Sequence, residues 1–302
     1  MKIAQLFAAK IRSEDVPYIV PVESATGQVG PHFIEYLAAE LKGEYQRDPD
    51  NIGLMGDFSV LKGRWCDPER VHPLIHEFYE HTSRLVVAVR PKWNQLFLPL
   101  FWLCRKVFAE LVDQFNLPID DAEADRGIES HIDCIDINRD KIQDIRGWVR
   151  TYAGTDTTVY VGVYTTVVLS DGPYVSVGFP LPDANLTATL VPMNRRQHDF
   201  LLKSRKWGSK WAGDYIAFVD ESPQRRVSAF RMRGLREEIE VYVRRGELLT
   251  DHRFYFLGCK FLTLFYTLTR KSTPTTPHDI SALAVRAAAI QAARPARLVQ
   301  RP

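Results

Sequence analysis

From Thr157 to Leu268 the chain reads as a succession of strand-length apolar runs. "TTVYVGVYTTVVL", "YVSVGFPL", "LTATLV", "DFLLKSRKW", "YIAFVD", "VSAFRM", "EIEVYV", "LLTDHRFYFL" and "KFLTLFYTL" follow one another, joined by short polar connections such as "SDGP", "PDAN" and "RRGE". β-Branched and aromatic residues bounded by turn formers predict antiparallel strands. Nine such runs in succession predict a meander, closed into a barrel or strongly curled, because a flat sheet of that size exposes long edges. Several runs are apolar on both faces. In Val159–Leu169 the valines alternate with Tyr160, Tyr164 and Val168. A sheet with one wet face alternates apolar with polar, so something is expected to cover the outside or the mouth.

Residues 1–150 follow another period. "GPHFIEYLAAELKGEYQ" places Phe33, Ile34, Leu37, Ala38 and Leu41 on one helix face. "CDPERVHPLIHEFYEHTSRL" opens on Asp67-Pro68, and Pro73 is tolerable only in a first turn, so a helix is expected from about Pro73 to Arg84. "LVVAVR" (85–90) and "HIDCIDI" (131–137) are strand-length. Between them lies "LFLPLFWLCRKVFAEL", the most apolar passage of the chain. Its uninterrupted run, Leu96 to Cys104, is nine residues long and ends at Arg105-Lys106, whereas a spanning helix needs roughly 20. Val107, Phe108, Leu111, Val112 and Phe115 then recur at helical spacing. The expectation is an amphipathic helix over 94–115 that covers the sheet. Trp93, Trp102 and the basic pair make shallow membrane contact the alternative.

These patterns define an α+β fold: a C-terminal antiparallel β-barrel or half-barrel packed against an N-terminal helical section. Its general plan is lipocalin-like by strand count and spacing alone. The expected divisions are a mainly helical section over 1–150 with short strands near 85–90 and 131–137, a β-meander over 151–270, and a loose basic tail over 271–302. The tail has room for one Ala-rich helical turn near Ser281 to Ala293.

Composition narrows the function classes. The chain of 302 residues is 45% hydrophobic and 25% charged, the profile of a globular protein. Its net charge of +2 is uneven, with six Arg or Lys against one acidic residue from Arg270 onward. The body has no basic excess, so no specific nucleic-acid partner is expected. The four cysteines form no C-x-x-C pair, which suits reduced thiols and a cytoplasmic setting. "MKIAQLFAAKIRSEDVPYI" is broken by Lys10 and Arg12 and lacks the pattern of a signal peptide. There is no G-x-S-x-G, P-loop or G-x-G-x-x-G motif, and no cofactor is expected. "HPLIHEFYEH" lacks the second histidine of H-E-x-x-H, so no metal site is expected either.

The candidate chemistry is therefore acid–base and sparse. His81 follows Phe78 and Leu74 at helical spacing and is expected on the inward face, with Tyr79 beside it and His76 and Glu80 outward. His252 shares a strand face with Phe254 and Phe256, which places a titratable imidazole inside an apolar barrel. Arg231 and Arg233 read as a solvated face or an anion site, and "KSRKWGSKW" as an exposed loop or a stacking cluster. His252, His81 and Tyr79 are the candidate catalytic residues. Trp102, Tyr160, Tyr164, Phe179, Phe230, Phe254 and Phe256 are the candidate ligand-binding residues. The leading expectation is binding of a small apolar, lipid-like or polycyclic metabolite in the barrel. A cofactor-independent isomerase or cyclase acting on such a molecule is one alternative. A peripheral membrane or scaffold protein using the 94–115 helix is another. The sequence leaves the ligand and the oligomeric state unassigned.

Overall fold

Antiparallel sheet dominates the computed structural model, which describes residues 10–12, 15–20, 29–99, 114, 116–182, 184–219 and 226–271. Fourteen strands are present among them: β1 (Lys10–Arg12), β2 (Glu44–Arg47), β3 (Leu85–Trp93), β4 (Ile128–Asp136), β5 (Ile145–Tyr152), β6 (Thr158–Leu169), β7 (Gly172–Leu181), β8 (Ala184–Asn194), β9 (Phe200–Lys203), β10 (Gly213–Val219), β11 (Arg226–Arg231), β12 (Leu235–Arg244), β13 (Glu247–Phe256) and β14 (Cys259–Arg270). The nine strand-length runs after Thr157 account for β6 to β14. The main path is β2-β4-β5-β6-β7-β8-β9-β12-β13-β14-β3, and β10, β11 and β1 branch from it at β8. The branch exists because β8 is long: its C-terminal end pairs with β9 and its N-terminal end with β10.

Five strands come from the first 150 residues and join the same sheet, and the α-helices bounded among the described residues there are short: α1 (Phe33–Leu41), α2 (Pro73–Glu80) and α3 (Asp121–Ala124). Among the described residues the section expected to be mainly helical thus contributes more strands than helices. Periodicity identified the helices, but it understated strands such as "IRGWVRTY", whose Arg146 and Arg150 interrupt an otherwise apolar pattern.

One core cluster draws side chains from β3, β4, β5, β6, β7, β8, β9, β12, β13 and β14. The sheet therefore curls around a single interior. No ladder joins β3 to β4 among the described residues, yet the two strands lie within 8 Å of each other in Cα position. Helix α2 enters this interior. His72 caps it, its Nδ1 accepting from Leu74 N at 3.1 Å, and Pro73 occupies the first turn. Ile75, Phe78 and Tyr79 are buried below it.

The second apolar face of β5 and β6 packs against α1. Phe33, Ile34, Leu37 and Ala38 pack with Ile135, Val149, Val161 and Val163. Gly147 permits that approach, since a Cβ there would lie 2.3 Å from Ile34 Cδ1. Residues 100–113 and 115, with Trp102 and Arg105-Lys106, and the tail from 272 onward lie outside the described residues, so neither the helix expected over 94–115 nor the one near Ser281 to Ala293 is described. No helix among the described residues is long and apolar enough to cross a membrane.

Candidate functional site

The inner faces of β5, β6, β12, β13 and β14 carry polar side chains where period two would place further apolar residues. On β5, Trp148, Arg150 and Tyr152 alternate inward; on β12, Glu237, Ile239 and Val241 do so; on β13, Thr250, His252 and Phe254; and on β14, Leu264, Tyr266 and Leu268. Arg150, Glu237, His252, Tyr160, Tyr164 and Tyr266 meet at one cavity of about 40 Å³, walled by Phe78, Tyr79, Trp148, Val177 and Phe179.

Arg150 is the central charge, 1% exposed. Its Nη1 donates to Tyr160 Oη at 2.6 Å, and Tyr160 and Tyr266 hydroxyls lie 2.5 Å apart. The guanidinium carbon sits 3.8 Å from the Trp148 ring centroid, a cation–π contact. Among the described residues, Nε and Nη2 find no acceptor. Tyr164 lies beside the guanidinium; burial pushes its phenol up to about 12, against the pull of Arg150. Burial also holds Tyr266 well above its ordinary value, with Tyr160 adding to the effect. These phenols are neutral donors, not bases, near pH 7.

A second part of the cluster is anionic. Glu237 and His252, 4% and 7% exposed, meet at 2.6 Å between Oε1 and Nε2. With Glu237 ionised, Nε2 carries the hydrogen. His252 stacks on Phe254 at 4.1 Å between ring centroids. Behind Glu237, Ser204 Oγ accepts from Glu237 N and donates to Asp214 Oδ2, both at 2.8 Å. Burial, and then the Glu237 charge, raise the Asp214 carboxyl to about 7.

Of the residues singled out from the sequence, His252, Tyr79, Tyr160, Tyr164 and Phe179 line this cavity, and Phe254 packs at its border. Tyr79 is fully buried against Phe58 and Phe200, and desolvation holds its phenol well above the ordinary value. His81 is elsewhere. The helix ends at Glu80, and His81 turns out of helical geometry (φ −140°), its Nδ1 2.9 Å from Asn51 O. The expected pairing of His81 with His252 is therefore corrected. His76 and Glu80 are half-buried, bonded to Pro68 O and Phe58 N.

Phe230 belongs to the side branch, edge-on to Phe218, outside the interior. Phe256 is 48% exposed, because the register shifts between Phe254 and Tyr255 and ends the alternation on which its inward placement rested. Trp102 lies outside the described residues. The sequence reading missed Arg150, Glu237 and Tyr266. The signal was present in "GWVRTY" and "EEIEVYV": a charge at period two within an apolar face.

The interior is largely filled. A void of about 40 Å³ admits a carboxylate or a few waters rather than a whole lipid-like molecule. No group of three or more metal-ligating side chains exists among the described residues.

No protein-family model matches the chain, and no solved structure does. Over 247 residues the chain is 25% identical to an uncharacterized membrane protein, YndJ, of Bacillus subtilis (strain 168), a match covering 82% of this chain and 42% of that protein. The chain thus spans less than half the length of the relative it resembles.

Proposed function

We propose that this chain is a binding module for a small amphiphile whose anionic head group pairs with Arg150 inside the curled sheet. On this reading the sheet is a barrel with an unladdered seam between β3 and β4, lipocalin-like only in being a curled antiparallel sheet around a ligand. The observation that carries the proposal is the pair of Arg150 donors, Nε and Nη2, without acceptors among the described residues in a side chain 1% exposed. An unmet buried donor costs roughly 1–3 kcal/mol, and a carboxylate meets two at once. The aromatic wall of Phe78, Trp148 and Phe179 suits an apolar body. A body larger than the void enters only if those side chains move. No cofactor is needed for such binding.

The isomerase or cyclase alternative draws less support. A proton-transfer catalyst works best with a pKa near the operating pH, whereas burial moves the Tyr79, Tyr164 and Tyr266 phenols away from it. Peripheral membrane association is a second reading, favoured by the description of the Bacillus relative as a membrane protein. The described cysteines, Cys66, Cys134 and Cys259, are unpaired, which fits a cytoplasmic location.

Titration with decanoate and decanol, followed by calorimetry and by Trp148 fluorescence, tests the proposal. Decanoate is expected to bind about 10–100-fold more tightly than decanol, as a charge-assisted pair implies, and Arg150→Met to abolish the preference. Equal binding of both, or no saturable binding of either, overturns it.

A further inference from the structure

The two tight hairpins that flank β13 share a turn geometry and differ in chemistry. Between Arg244 and Glu247 the central residues are Arg245 (φ 53°) and Gly246 (φ 77°); between Phe256 and Cys259 they are Leu257 (φ 48°) and Gly258 (φ 86°). Both residues of each turn are left-handed, an arrangement that Asn-Gly suits best. A leucine there is conformationally unfavourable. It is also 75% exposed, so packing within the chain does not explain it.

Leu257 is not alone. Phe256 is 48% and Leu96 87% exposed. Loop 94–97 is tied to the same hairpin: Asn94 N donates to Phe261 O at 2.8 Å, Asn94 Nδ2 donates to Lys260 O, and the Phe97 and Phe261 rings lie 6.0 Å apart. The turn before β12 completes the group, with Leu257 N donating to Gly234 O at 2.8 Å. Exposed Lys92, Arg233 and Lys260 surround this apolar tip. Of the acidic side chains toward this end, Glu238 pairs with Lys203, and Asp121 and Asp125 are engaged by Arg90. The most apolar passage of the sequence also starts at Leu96.

We infer that this end of the molecule docks onto an anionic lipid bilayer, with Leu257, Phe256 and Leu96 entering the acyl boundary and Lys92, Arg233 and Lys260 meeting the headgroups. The inference rests on this surface alone and not on the interior site.

The test is co-sedimentation of the full chain with phosphatidylcholine vesicles, with and without phosphatidylglycerol. The expected result is binding that requires the anionic lipid. Leu257→Asn creates the preferred Asn-Gly turn, so its thermal unfolding should be unchanged or later, while vesicle binding falls about tenfold for the loss of one buried leucine. Lys92→Gln with Lys260→Gln should weaken binding only to vesicles containing phosphatidylglycerol. Wild-type protein remaining in the supernatant, or Leu257→Asn binding as wild type does, overturns the inference. So does a concentration-dependent dimer abolished by Leu257→Asn, which assigns the tip to a second copy. Decanoate affinity in Leu257→Asn is expected to be unchanged, which separates this surface from the interior site.

Discussion

Strands β12 and β13 carry a polar network on each face, and the two differ in one respect. On the outer face, Arg253 donates to Glu240 Oε2 at 2.6 Å and to Asp251 Oδ2 at 2.8 Å, Tyr242 donates to Asp251 Oδ1, and Arg244 pairs with Asp199. Each charge there has a partner, and the surrounding acids hold Arg253 above its ordinary pKa despite burial. On the inner face, Glu237 and His252 satisfy each other while Arg150 keeps two donors without acceptors among the described residues. Burial of charge is thus no sign of function in itself. A completed network specifies structure, and an incomplete one offers a site.

The largest test of this contrast is a pair of arginine substitutions. Arg253→Met leaves Glu240 and Asp251, 2% and 8% exposed, without their main cation, and a loss of about 3–5 kcal/mol is expected in urea denaturation. Arg150→Met should stay within about 1 kcal/mol of the parent or exceed it, because few satisfied bonds are lost. Equal losses in the two variants would erase the distinction.

Asp214 tests the inner face through pH. Its folded pKa of about 7 lies above the unfolded value of about 3.9, so the native state holds a proton that the unfolded chain has released. Stability therefore falls as pH rises from about 4 through about 7, and the full penalty applies above that. Asp214→Asn should flatten this slope and stabilise the protein at about pH 8 by on the order of 2–4 kcal/mol, with little change near pH 4. A variant whose urea midpoint runs parallel to the parent's across this range would show that Asp214 is ionised in the native protein.

Smaller effects separate the two histidines. His252→Gln removes an imidazole that is 7% exposed and paired with Glu237, for a cost of about 1–2 kcal/mol. His81→Gln, at the exposed helix end, should stay within about 0.5 kcal/mol. The least perturbing probe is thiol labelling mapped by mass spectrometry. Cys259 is exposed and should react in the native protein, whereas burial raises Cys66 and Cys134 to about 12 and should protect them until unfolding.

Much of the strand order was legible because β-branched and aromatic runs such as Val159–Leu169 form strands in any context that buries one side of them. His252 was legible for the same reason: period two puts it beside Phe254. Phe256 was not, since a register shift after Phe254 is decided by how β14 pairs and leaves no trace in the local pattern. His81 was misplaced because helical spacing was extended past Glu80, where the chain turns to bring His81 to Asn51 O. Arg150 and Glu237 were passed over because a charge in an apolar strand reads as a break in the pattern. Only when β5 and β12 face one interior do those breaks become a site.

The sequence by itself determined the antiparallel character, the hairpin turns and the α1 and α2 helices, since each depends on neighbours a few residues apart. Tertiary structure alone decided that strands before residue 150 join the sheet, that α1 packs on β5 and β6, and that the cavity beside Arg150 is only about 40 Å³. It also decided which charges meet. Period and turn chemistry are local, whereas the partner of a buried charge comes from a strand elsewhere in the chain; Arg150 and Tyr266 belong to one cavity because the sheet curls.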